Sequence, residues 1–131
     1  HLGDSFIYLC ASILPKPLSI ITSVIGASLA DFLTGNAIWI IPTVIIKSIL
    51  VMFFVNSEKI LTKRNIIASI LSGVVGTVLY MIAGGFIYGF EGAFLVTLVT
   101  LYQPIGSFIL YIFVGYYLDK IDFIKKYNIL K

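Results

Sequence analysis

Apolar residues fall along this chain in five stretches, Leu2 to Leu14, Leu18 to Leu33, Ala37 to Val55, Ile66 to Tyr88 and Ala93 to Leu118, with short polar breaks between them. A bilayer-spanning helix needs about 20 apolar residues, and the last three stretches reach that length. At about 1.5 Å per residue the first gives only about 20 Å and the second about 24 Å, against a hydrocarbon core of about 30 Å, so those two stop short, tilt or line a cavity. None alternates as a barrel strand does, and lipid leaves open strand edges unsatisfied, so helices are the only spanning form these stretches allow. The pattern predicts an all-α, multi-pass transmembrane bundle with five helices in this chain. With no linker, low-complexity stretch or repeat, residues 1–131 form a single membrane domain ending in a tail over 119–131.

Composition agrees with the pattern. Hydrophobic residues make up 60% of the chain and charged ones 11%, with a mean hydropathy of +1.07, where a soluble domain carries about 25% charged residues. The single cysteine, Cys10, has no partner for a disulfide or thiolate cluster and reads as a packing residue. A chain opening on His1 is expected to have lost residues upstream, and one further helix there would make six.

The basic residues assign the sides. Lys16 lies in the first break, Lys59, Lys63 and Arg64 in the third, and Lys120, Lys125, Lys126 and Lys131 in the tail, which leaves only Lys47. Asp4, Asp31 and Glu91 fall at the opposite helix ends. By the positive-inside rule the Gly35 and Glu91 turns face outward and the C-terminus is cytoplasmic.

Polar groups inside the apolar stretches mark where chemistry can occur. An ionisable side chain deep in a membrane helix costs at least about 2.5 kcal/mol and normally faces the bundle or a wet cavity. Lys47 lies about 15 Å below the outer end of its helix. Trp39, Thr43 and Lys47, spaced four apart, share its face. Gln103 reaches the same depth in the last stretch, on a face with Thr100 and Ser107, and Tyr102 and Pro104 beside it predict a locally disturbed helix. Asp4, Tyr8 and Ser12 share a face in the first stretch, Ser23, Ala27 and Asp31 in the second, and Gly73, Thr77, Tyr80 and Gly84 in the fourth. These faces predict a recess open to the outside, with Lys47 and Gln103 at its floor.

Each of these signals has a plainer reading. Small residues such as Gly26, Ala27, Ala30, Ser72, Gly73 and Gly76 also serve close helix packing in lipid. Trp39, Tyr80 and Tyr102 also suit an interfacial aromatic belt. Lys47 also suits a structural pair with Asp4 or Asp31, and Asp4 and Asp31 also suit solvated helix ends, Asp4 as an N-cap. No zinc-protease, serine-nucleophile or phosphate-loop motif occurs, paired carboxylates are missing from any one face, and no cofactor motif is found, so the chain is not expected to be an enzyme. The basic residues are few and lie against the membrane, which does not suit nucleic-acid binding.

The opening His1-Leu2-Gly3-Asp4-Ser5, the Leu14-Pro15 break, the run Gly26-Ala27-Ser28-Leu29-Ala30-Asp31 with Gly35 four residues on, and Pro42-Thr43 with Lys47 four after the threonine resemble the S components of energy-coupling factor (ECF) vitamin transporters. The resemblance is to their riboflavin-type and hydroxymethylpyrimidine- or pyridoxine-type branch. It covers essentially the whole chain, although Tyr102-Gln103-Pro104 places the proline and glutamine in a different order from that common in the family. It implies a six-helix bundle that captures a vitamin or precursor from outside and delivers it by toppling when docked to a coupling transmembrane subunit and two ATPase subunits. It also places the binding site in the segment before Asp4, the turn from Gly35 to Thr43 and the outer parts of the last three helices. On that reading Trp39, Tyr80 and Tyr102 stack on a flat heteroaromatic ring, while Lys47, Gln103, Asp4, Asp31 and Thr43 contact its edges. A structural subunit without a ligand and a small secondary transporter stand as alternatives.

Overall fold

The computed structural model describes residues 3–127; His1, Leu2 and the end of the tail with Lys131 lie outside the described residues. The architecture is helical throughout that range: α1 (Asp4–Ile13), α2 (Lys16–Leu33), a 3-10 turn (Ala37–Trp39), α3 (Ile40–Val51), α4 (Lys63–Tyr88), α5 (Phe90–Val99), α6 (Tyr102–Lys120) and the short α7 (Phe123–Lys126). The all-α expectation holds, but seven helices replace five, and three differences matter.

The fifth stretch is two helices, α5 and α6, bent by 42°. Pro104 explains the break, since it has no N–H to donate to the carbonyl of Thr100 one turn back and its ring crowds that carbonyl. Gln103 N instead donates to Thr100 O at 3.0 Å, closing a tighter turn. The third stretch, expected as a helix to Val55, ends at Val51. There Lys16 Nζ donates to the carbonyls of Val51 (3.1 Å) and Phe54 (2.5 Å), and buried Asn65 pairs with both the N–H and the C=O of Val55 at 2.9 Å. These side chains satisfy backbone groups that a continuing helix would have used itself. The fourth helix begins at Lys63, three residues earlier than expected, because the Thr62 side chain caps it by accepting from Asn65 N at 3.1 Å.

Membrane-crossing lengths shift accordingly. Lys16–Leu33 and Lys63–Tyr88 are long and apolar enough to cross a bilayer, and the bent pair α5–α6 makes a third candidate, whereas the segment Ala37–Val51 is short. The second stretch therefore gains the spanning length and the third loses it. Proline at the start of α2 adds an opening turn at little cost, because its missing N–H is unsatisfied there in any helix.

Large apolar side chains stand exposed on every long helix, among them Leu33 (73%), Ile41 (74%), Phe86 (79%) and Val99 (75%). Apolar surface on this scale suits lipid as the surrounding solvent. The buried core lies toward the lysine-rich end, where Tyr8 stacks on Phe54 with centroids 5.3 Å apart and Tyr111 meets both edge-on. Ser12 Oγ and Tyr111 OH, 2.8 Å apart, tie α1 to α6 in that core. At the same end the Asp119 carboxylate accepts from Ile60 N (2.6 Å) and Leu61 N (2.8 Å), and Lys59 bonds Asp122 at 3.0 Å. Sealing one end in this way leaves the other, where α1 starts and α2 turns into α3, free to open.

Candidate functional site

Two recesses meet at that open end. One, of about 310 Å³, lies among α1, α2, α3 and α4 and is lined by residues including Asp4, Cys10, Ala27, Asp31, Lys47 and Tyr80. The other, of about 300 Å³, lies toward α5 and α6 and includes Asn36, Trp39, Thr77, Thr97, Thr100 and Gln103. Asp4, Asp31 and Tyr80 line both, so they form the wall the two recesses share.

The local sequence explains how these groups arrive there. Gly35, at φ +80°, ends α2: its N–H bonds Phe32 O at 3.2 Å and the N–H of Asn36 bonds Asp31 O at 2.8 Å. This glycine-terminated cap turns the chain straight back into the 3-10 turn that carries Trp39. The return sets α3 against α2, with Thr43 and Lys47 inward, 2% exposed each.

Lys47 Nζ contacts Asp4 Oδ1 at 2.5 Å, with side chains 3% and 18% exposed. The same ammonium sits 5.0 Å from the centroid of the Tyr80 ring. Thr43 Oγ1 donates to Asp31 Oδ2 at 2.5 Å and lies 3.1 Å from Tyr80 OH. Because the single threonine proton is committed to Asp31, Tyr80 donates to Thr43, and the polarity of the chain runs from Tyr80 through Thr43 to Asp31. Trp39 leans on Tyr80 (centroids 5.7 Å, 46°) and on Tyr88 (6.2 Å, 44°), and the position a Cβ on Gly84 would take lies 3.4 Å from its ring. A flat aromatic face, a carboxylate and a hydroxyl chain thus surround a space large enough for a small ring compound.

Of the residues the sequence singled out, Asp4, Asp31 and Tyr80 line both recesses, Thr43 and Lys47 the first, and Trp39 and Gln103 the second, so Lys47 and Gln103 do not share one floor as expected. Tyr102 is not: as the first residue of α6, beyond the bend, it is 65% exposed and lines neither recess. Tyr8 and Ser12, expected on Asp4's face, are drawn into the core, and Phe6, Ile7 and Cys10 line the recess instead. Small residues divide between the two roles considered for them. Gly76 packs against Leu50, where a Cβ would come within 3.2 Å of its Cδ1, and also lines the second recess with Ser72 and Gly73, while Gly26, with open space beside it, lines the first with Ala27 and Ala30. Asn36 lies in the Gly35 to Thr43 turn that the resemblance placed at the site, but it is not singled out by the sequence, because a polar residue next to a turn glycine reads as turn chemistry alone.

Comparison with family models matches residues 1–126 to the ECF-type riboflavin transporter, S component. No curated protein and no solved structure matches the chain. With nearly its whole length covered by one family, and with an apolar helical body around a recess open at one end, the chain belongs to the S components of ECF-type transporters, in the riboflavin transporter family.

Proposed function

We propose that this chain is the substrate-capturing membrane subunit of an ECF importer, that it takes a water-soluble vitamin or vitamin precursor with a flat heteroaromatic ring from outside the cell, and that it hands this cargo on while docked to a coupling transmembrane subunit and two ATPase subunits. The observation that carries the reading is the wall of Asp4, Asp31 and Tyr80 that the two recesses share, with buried Lys47 and Thr43 on one side of it and Trp39 and Gln103 on the other, in a family whose members serve such importers. Structural helix packing alone does not call for so many polar groups around a space of this size.

In this mechanism the Trp39 and Tyr80 rings hold the cargo by stacking, and the carboxylate and hydroxyl groups orient its polar edge. Lys47 holds Asp4 at the mouth and sets the shape of the floor. The chain itself catalyses nothing, and ATP hydrolysis belongs to the partners. Lys16, Lys59, Lys63, Arg64, Lys120, Lys125 and Lys126 on the end opposite the recess support a cytoplasmic C-terminus and a recess facing outward.

The test is reconstitution. The complete protein, with its coupling subunit and two ATPases, is placed in liposomes and supplied with radiolabelled riboflavin, pyridoxine or hydroxymethylpyrimidine. Uptake of one of these that needs both ATP and this chain is the expected result. No uptake of any, from an assembled complex that hydrolyses ATP, contradicts the reading and favours a subunit without its own ligand.

A further inference from the structure

The recess carries a charge imbalance. Of the side chains lining its two halves, the acidic and basic ones are Asp4, Asp31 and Lys47. Lys47 is committed: its ammonium contacts Asp4 at 2.5 Å and is buried against Tyr80, so at any distance beyond a few ångströms the pair acts as a dipole rather than as a free cation. Asp31 is different. It accepts a hydrogen bond from neutral Thr43, and among the described residues no lysine or arginine forms an ion pair with it. It lines both halves, so a ligand in either one meets its field. Trp39 lines the second half as well, and an aromatic ring also favours positive charge.

We propose that Asp31 makes the recess selective by charge: it accepts ring compounds that present N–H donors or a positive charge to the shared wall, and rejects analogues that carry a carboxylate on the ring. The selectivity rests on the transport reading above and specifies the ligand chemistry of the same site. A carboxylate held about 6 Å from Asp31 at an effective dielectric of about 20 is disfavoured on the order of a hundredfold. Screening through the open mouth reduces this, so a discrimination of at least about tenfold is expected.

The experiment is calorimetric titration of the purified full chain in detergent with three pairs of probes that differ by a ring-borne carboxylate: riboflavin against 8-carboxyriboflavin, pyridoxine against 4-pyridoxate, and nicotinamide against nicotinate. In any pair that binds, the uncharged member is expected to bind at least about tenfold more tightly. Asp31→Asn, which retains an oxygen for Thr43, narrows that ratio at least about fivefold. Asn36→Asp, on the exposed turn that lines the second half, widens it, and this variant provides a readout if Asp31→Asn does not fold. Ratios within about twofold in every binding pair, or an anionic member that binds more tightly, overturn the charge selectivity and leave the transport reading standing. A ratio that neither variant moves overturns the role given to Asp31. Failure of all six probes to bind counts against the transport reading itself, and the selectivity falls with it.

Discussion

Replacing Lys47 with methionine isolates what the buried ion pair contributes. The side chain is 3% exposed and contacts a carboxylate that is 18% exposed, so the substitution leaves the Asp4 side chain largely desolvated and without its cation. Removing one partner of a buried pair costs about 3–5 kcal/mol, and the partial exposure of Asp4 puts this site at about 3 kcal/mol. Loss of the ammonium from the Tyr80 ring, 5.0 Å away, adds about 0.5–1 kcal/mol. Methionine fills nearly the same space, so little of the loss comes from a void. Asp4→Asn alone leaves the lysine unpaired and is also destabilising, whereas the double variant Asp4→Asn/Lys47→Met removes both charges and recovers much of the loss. The expected coupling in the double-mutant cycle is about 2 kcal/mol, read from thermal unfolding of the four proteins in the same detergent. Additive effects, or a Lys47→Met protein as stable as its parent, would refute the claim that this pair fixes α1 to α3.

Three further outcomes are expected. Asn65→Leu strips its partners from Val55 N, Val55 O and Ile60 O, and lowers stability by about 3 kcal/mol, measured as a fall in the thermal midpoint; an unchanged midpoint would mean the segment after α3 is held by other contacts. Gly115→Ala places a Cβ 2.8 Å from Leu61 Cδ2 and 3.3 Å from Ile60 Cγ2, and overpacking there costs about 1–3 kcal/mol, whereas the same change at Gly26, which has open space, is close to neutral. Across pH, the hydrogen bond from Lys59 holds the Asp122 carboxyl below its ordinary range, and the same bond raises Lys59. The Asp122 contribution is therefore present above the carboxyl's unfolded value and is lost as pH falls through its lowered folded value, while that of Lys59 is lost only as pH rises through its raised one. Both groups are exposed to solvent, so the effect is small and shrinks with salt; Asp122→Asn should flatten the acid limb of the stability profile, and an acid limb identical to the parent's would show that the pair contributes nothing.

Hydropathy made the helical class legible, because an apolar stretch in lipid has few alternatives to a helix. Helix faces made much of the recess legible too: Trp39, Thr43 and Lys47 follow from spacing alone, and Thr100 with Gln103 from a second face. What spacing could not supply was where helices stop. Val51 ends α3 because Lys16 and Asn65, distant in sequence, claim the backbone groups beyond it, and no local pattern records that. Pro104 did signal a disturbance, but not that the bend would divide the stretch and leave Tyr102 on the outside of it. Tyr8 shows the same limit, since its spacing puts it on Asp4's face while Phe54 and Tyr111 draw it into the core. Sequence leaves the pairing of Lys47 open between two carboxylates, and tertiary geometry gives it to Asp4 and leaves Asp31 to Thr43.

The central claim is that the recess walled by Asp4, Asp31 and Tyr80 holds a vitamin-like molecule. Native mass spectrometry of the full-length protein, purified in mild detergent from cells grown in rich medium, tests it most directly. The account predicts one small-molecule adduct per chain, of vitamin-like mass, lost or weakened in Asp31→Asn. A clean apo mass, followed by no binding across a panel of vitamins, would contradict it.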